Sequence, residues 1–355
     1  MKPIITKFKL IAFTFLLLVQ TNISLAQQYP PVDKVRADFR ALLNRPEVPF
    51  APSFQTTKTN AVIIEKGTIY SEKNEKIPML IYKPATGKKS YPVVIFLHGT
   101  GGSKDSGEIT DVLYKLTEMG IMGVAIDARY HGERIPGGAH GGTEYSEAIY
   151  KAWENTDKNH QEHPFLYDTS YDLWRLTDYL VTRPDVQVNR IGMSGVSMGG
   201  IETWLAAAVD KRIKVVVLNI AVQSFNWSLN NNKWQGRAGT IMSAHEKAAK
   251  DLGDNELNSK NVKALWDKVI PGITGEFDCP SMLRLITPRP LLILNNEKDL
   301  NCPLPGAIIA FQSATAAYNA QNASDKLKMD VEPNQPHRST PAHIQMTLDW
   351  FGKWL

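Results

Sequence analysis

The chain has 355 residues, 43% of them apolar and 21% charged, an ordinary globular composition that allows one large domain or two with a full core. Its formal net charge of +4 sits mostly at the front, because residues 1–26 carry three lysines and no acid and the remainder is close to +1. No lysine- or arginine-rich run is left to serve nucleic acid or an anionic membrane, so neither partner is expected.

Lys2, Lys7 and Lys9 precede Leu10–Val19, a stretch apolar except for Thr14, and Ser24-Leu25-Ala26 follows as a cleavage site. Residues 1–26 therefore read as a signal peptide, with a mature chain from about Gln27 that is secreted or periplasmic. The stretch falls short of the roughly 20 apolar residues that span a bilayer. No cysteine near the cleavage point supports a lipid anchor. Residues 27–58 form a polar, proline-bearing lead-in, with a short amphipathic helix expected over 33–43. Residues 61–70 and 77–82, rich in Ile, Val and Tyr around a polar turn, predict an antiparallel hairpin at a sheet edge.

Pro92–Leu97 is a continuous apolar run, as expected of a strand buried on both faces. It leads into His98-Gly99-Thr100-Gly101-Gly102-Ser103, whose glycines would let backbone N–H groups approach a ligand oxygen. The N–H of Thr100 is the candidate oxyanion donor and His98 a hydrogen-bonding support, the alternative being a tight turn into a helix over 109–119. Residues 120–127 predict another buried strand. Its exit, Asp127 to Arg134, reads either as a substrate-facing loop or as a brace in which Arg129 and Arg134 pair with Asp127 or Glu133; the brace is preferred. His131, His140, His160 and His163 lack metal-binding spacing, so no metal is expected, and no motif calls for a cofactor.

After a helix over 168–182 comes Ile191–Gly199, IGMSGVSMG, a buried strand running into the G-x-S-x-G motif around Ser197. Small residues on both sides allow a sharp strand-to-helix turn that presents the serine oxygen. Met198 would then open a helix and offer a second oxyanion N–H. A strand over 213–220 continues the alternation, which predicts an α/β fold: a mostly parallel sheet with helices on both faces. Residues 222–283 interrupt it with helices over 244–252 and 259–269 and read as a cap. Within them Trp227 and Trp234 stand among amide side chains, which suits sugar contact, a packed lid or a dimer contact.

Residues 290–295 predict the next strand, followed by Asp299 and a helix over 303–319. A last short strand over 327–331 precedes His337 and a terminal helix over 341–354, which should carry the rival base His343 away. Cys279 and Cys302 could form a disulfide or remain two thiols, and sequence leaves both open.

Ser197, Asp299 and His337 thus follow in the order serine, acid, histidine, each just past a predicted core strand. With the HGTGG loop, GVSMG, the aspartate after PLLILN and the histidine before the last helix, residues 60–355 resemble the α/β-hydrolase superfamily. The Asp127–Arg134 stretch is similar to the branch holding acetyl xylan esterases, dienelactone-hydrolase-like proteins and prolyl-oligopeptidase-type peptidases. The resemblance implies a serine ester hydrolase acting on an acylated carbohydrate or other small ester, and the leader-like residues 1–26 make it an exported one. A serine aminopeptidase or amidase, or a binding protein that keeps the fold without catalysis, are the alternatives; the chain lacks the long N-terminal propeller of the peptidases.

Overall fold

The computed structural model describes residues 29–137, 142–157 and 160–355. The expected signal peptide and His140 fall outside them. Nine strands form one mixed sheet: β1 (Ser53–Lys58), β2 (Val62–Glu72), β3 (Glu75–Pro84), β4 (Tyr91–Leu97), β5 (Met122–Ile126), β6 (Val186–Val196), β7 (Ile213–Asn219), β8 (Leu291–Asn296) and β9 (Leu327–Glu332). Their spatial order is β1-β2-β3-β5-β4-β6-β7-β8-β9. The first three pairings are antiparallel and all the others parallel.

The helices follow in chain order. α1 (Val32–Leu42), α2 (Gly107–Glu118), α3 (Gly142–Glu154), α4 (Tyr167–Thr182) and α5 (Met198–Val209) precede β7. The segment between β7 and β8 holds α6 (Phe225–Asn230), α7 (Gln235–Gly239), α8 (Met242–Asp251), α9 (Ser259–Val269) and α10 (Cys279–Met282). α11 (Leu304–Ala320) and α12 (Pro341–Trp354) complete the chain.

Side chains alternate across a strand, so each apolar run feeds two cores. In β4, Val93, Ile95 and Leu97 join the larger core with α4, α5 and α11, whereas Val94 and Phe96 face α2 and α12 on the other side. The sheet is covered on both faces for this reason. The chain leaves β4 toward β5 on one side and returns to β6 on the other, so the strand order reverses between β4 and β6. In open α/β sheets a crevice forms at such a point, beyond the C-terminal strand ends.

Two sequence expectations change. The lead-in ends in a strand, β1, which pairs with β2 and puts the expected edge hairpin one place in from the edge. The segment SFQTTK is exposed along nearly its whole length and has no apolar alternation to announce it. The 222–283 segment has five helices where two were expected; three of them are six residues or shorter, too brief for a periodic pattern. Asp278 staples its two ends: its carboxylate accepts from Ser224 Oγ at 2.6 Å, Phe225 N at 2.9 Å and Cys279 N at 2.8 Å.

The brace after β5 exists, with different partners. Arg129 donates through Nε at 2.8 Å and a terminal nitrogen at 2.9 Å to Asp172, and also pairs with Glu72. Arg134 lies 2.8 Å from the same Asp172 carboxylate. Asp127 instead takes the buried Lys104 ammonium at 3.0 Å. Asp172 comes from α4, 43 residues after Arg129, a proximity only the folded chain creates. Burial would raise the Asp172 carboxyl, but Arg129 and Arg134 outweigh it and hold it well below the usual carboxylate range. Asp172→Asn would leave two buried guanidinium groups short of a counter-charge. We expect it to lower unfolding stability by about 3–5 kcal/mol in urea titrations; a loss under about 1 kcal/mol would show that the pairing is not needed.

Candidate active site

Ser197 stands between β6 and α5 with φ 53° and ψ −110°. That region is strained for any residue with a Cβ, at a cost of order 1–3 kcal/mol, and persists only where the surroundings enforce it. They do so here. A Cβ on Gly195 would come 2.4 Å from the Gly199 carbonyl, and one on Gly199 would come 2.6 Å from His98 O, so larger residues would force the turn open. Ser197 N donates to Asn219 O of β7 at 2.9 Å.

Three strand exits then converge. Ser197 Oγ lies 2.8 Å from His337 Nε2, and His337 Nδ1 lies 2.7 Å from Asp299 Oδ2. The Asp299 side chain is fully buried, while the His337 side chain is 21% exposed and Ser197 8%, so the open end of the chain of contacts is the serine and imidazole end. The other oxygen of Asp299 accepts from Asn301 N and Cys302 N, each at 2.8 Å. Such an arrangement can take a proton from the hydroxyl onto the ring while a fixed carboxylate holds the opposite N–H.

The loop after β4 lies beside the serine. A Cβ on Gly99 would sit 3.6 Å from Ser197 Cβ. Gly102 N donates to Gly99 O at 3.0 Å and Gly101 has φ 79°, which makes Gly99–Gly102 a turn with a left-handed third residue. Thr100 is the second residue of that turn, and Met198 is the first residue of α5, where an N–H has no intrahelical acceptor. Among the described residues neither N–H donates to a protein acceptor. His98 braces the loop from below, with Nε2 accepting from Ala128 N at 3.1 Å and Nδ1 2.8 Å from Gly99 O.

The other sequence candidates lie elsewhere. Trp234 is 6% exposed within the main core, so its ring is not offered to a sugar, and Trp227 packs against Gly306 of α11. Trp234 is thus a packing residue, whereas Trp227 is only partly buried. His343 is buried in α12 with Nε2 3.5 Å from Glu332, separate from the serine contact. Cys279 and Cys302 are free buried thiols. Cys302 Sγ does fall within 4.8 Å of Asp299 and His337 ligand atoms. Both ring nitrogens of His337 are already engaged, and the Arg237 guanidinium donates to that sulfur at 3.1 Å, which favours a hydrogen-bonded relay over a cation site.

One residue escaped sequence reading. Asn296, the last of β8 and fully buried, donates through Nδ2 to Pro336 O at 2.5 Å and Arg338 O at 2.8 Å, the carbonyls on either side of His337. An asparagine at a strand end carries no signal of this. Asn296→Ala should free the His337 loop and lower kcat by about tenfold with little change in KM; unchanged kcat would show that the loop is held otherwise.

Beneath the HGTGG loop the His98 and His131 rings lie 5.2 Å apart. Burial, reinforced by His98, pushes the His131 imidazole down to about 4. An unfolded histidine titrates near 6.5, so the unfolded chain binds the proton first as pH falls. The stability contributed by the neutral ring is complete above about 6.5 and is lost between there and about 4. His131→Asn is therefore expected to flatten the decline in Tm across that window, and an unchanged slope would assign the decline to other groups.

Residues 21–224, more than half of the chain, match the family model described as Acetyl xylan esterase (AXE1); the match contains the HGTGG loop and Ser197 but ends before Asp299. A Bacillus subtilis (strain 168) protein named as a hydrolase, YtaP, is 29% identical over 294 residues, 79% of this chain and 85% of its own. Among solved structures, acetyl xylan esterase 1 from Thermoanaerobacterium sp. JW/SL YS485 superposes with a TM-score of 0.66 at 19% identity, covering 92% of this chain and 99% of its own. The acetyl xylan esterase from Paenibacillus sp. R4 does so with a TM-score of 0.65 at 18% identity, covering 94% and 99%. At these identities the two structures speak for the fold.

Proposed function

The chain belongs to the acetyl xylan esterase family and is a carboxylic ester hydrolase, and on that footing we propose that Ser197, His337 and Asp299 are its nucleophile, base and orienting acid. The observation that carries the reading is the pair of contacts at 2.8 and 2.7 Å that links the three side chains. Ser197 Oγ attacks the acyl carbon as its proton passes to His337 Nε2, and Asp299 steadies the resulting imidazolium. The carbonyl oxygen, now an anion, receives the N–H groups of Thr100 and Met198, each worth on the order of 3 kcal/mol in the transition state. The positive end of α5 adds to this. Collapse expels the alcohol, protonated by His337, and a water activated by the same ring then frees the acid and the serine.

The substrate we propose is an acylated carbohydrate reached outside the cytoplasm. Family membership supports the sugar ester, and the leader-like residues 1–26 support export. The segment 222–283 would act as the cap, since it begins where β7 ends, on the same side as the serine turn.

p-Nitrophenyl acetate, acetylated xylo-oligosaccharides and aminoacyl p-nitroanilides, each given to wild type and Ser197→Ala, test the reading together. Esters should turn over and Ser197→Ala should lose on the order of 10⁴-fold or more in kcat. Hydrolysis of anilides alone, or a Ser197→Ala variant as active as wild type, would defeat it.

A further inference from the structure

A buried cation beside the Asp299 loop belongs to the segment between β7 and β8. Arg237, in α7, is 1% exposed. Among the described residues it has no carboxylate at ion-pair distance, and its partners are neutral. One terminal nitrogen is 3.3 Å from Asn301 O and 3.1 Å from Cys302 Sγ. The Gln223 amide, oriented so that donors meet acceptors, takes Arg237 Nε at 3.0 Å and donates to the same Asn301 O at 2.8 Å. α7 presses on this loop closely enough that a Cβ on Gly236 would come 2.2 Å from Leu300 O.

A guanidinium removed from water without a counter-ion is costly, so its placement calls for a compensating charge. The route to one runs through a single peptide unit. The carbonyl that accepts from Arg237 and Gln223 is that of Asn301, and the N–H on the other side of the same planar unit is that of Cys302, which donates to Asp299 Oδ1 at 2.8 Å. Hydrogen bonding a cation to the oxygen of a peptide strengthens its N–H as a donor. Asp299 Oδ2 then faces His337 Nδ1 at 2.7 Å.

We propose that Arg237 is a positioning residue for the reaction, which through the peptide joining Asn301 and Cys302 fixes Asp299 and so the tautomer and direction of His337. The proposal rests on the reading of Asp299 as the orienting acid. It gives α7 a positioning role: the segment that would cover the site also sets the aim of its base.

The test compares Arg237→Met, which keeps bulk and loses the donors, with Arg237→Lys, which keeps a cation able to reach Asn301 O, in the full-length protein with p-nitrophenyl acetate. Arg237→Met should lower kcat about ten- to a hundredfold with KM within about twofold of wild type, and Arg237→Lys should recover a large part of that loss. Wild-type kcat in Arg237→Met, or equal losses in both variants that follow the folded fraction measured by circular dichroism, overturns it. If Arg237→Met does not fold, Gln223→Leu takes its place, removing the second donor to the same carbonyl and leaving the cation. It should show a smaller drop in kcat at constant KM, and an unchanged kcat there overturns the proposal. Ser197→Ala run in parallel separates the two levels: if it stays active the catalytic reading fails, and if it is inactive while Arg237→Met is fully active only the role of Arg237 fails.

Discussion

A serine backbone held at φ 53° is the constraint on which the rest of this structure depends. No isolated turn would keep it, because the strain is comparable to a sizeable part of the stability of a small domain. It is kept by fully packed neighbours: Leu97 and His98 press on one side of the turn, and Ala221 on the other, where a Cβ on Gly200 would come within 2.4 Å of it. Those residues lie at the exits of β4 and β7, the strands on either side of β6. The parallel centre of the sheet is thus what converts hydrophobic burial into a fixed position for one hydroxyl.

The same logic extends outward by one strand at a time. β8 lies beside β7 and β9 beside β8, so the exits bearing Asp299 and His337 are neighbours, and Lys298 N donates to Gln335 O at 3.0 Å between them. Asn296 then ties both flanks of His337 to β8. Ser197 is held through its backbone N–H by Asn219 of β7, His337 through the carbonyls flanking it by the Asn296 side chain, and Asp299 through Oδ1 by the N–H groups of Asn301 and Cys302, which leaves Ser197 Oγ, the ring nitrogens and Asp299 Oδ2 to one another. On the opposite side of the serine, His98 and Lys104 anchor the glycine loop to the exit of β5, and the Arg129, Arg134 and Asp172 cluster anchors that exit to α4.

Much of this was legible in advance. Apolar runs such as PVVIFL and IKVVVLNI announce doubly buried strands because burial on both faces removes the alternation that other strands show. GVSMG announces its turn because glycine is needed where backbones nearly touch. Asp299 could be picked out because it follows the apolar run PLLILN, and His337 because it stands between a short last strand and the terminal helix. By contrast β1 was invisible, since an exposed edge strand needs no apolar pattern. The partners of Arg129 were misassigned because nearby acids in the sequence compete on paper with a distant one that the fold brings closer.

The sequence by itself determined which residues could be strand, turn and hydroxyl, since those properties follow from side-chain volume, polarity and backbone freedom over a few positions. Only the tertiary structure decided which polar groups meet. It sent Trp234 into the core, gave Asp172 two arginines, and set Arg237 against the peptide that holds Asp299. The physical reason is that hydrogen bonds and ion pairs act over about 3 Å, a distance that residues 40 or 60 positions apart reach only when the packing of whole helices on the sheet has been settled.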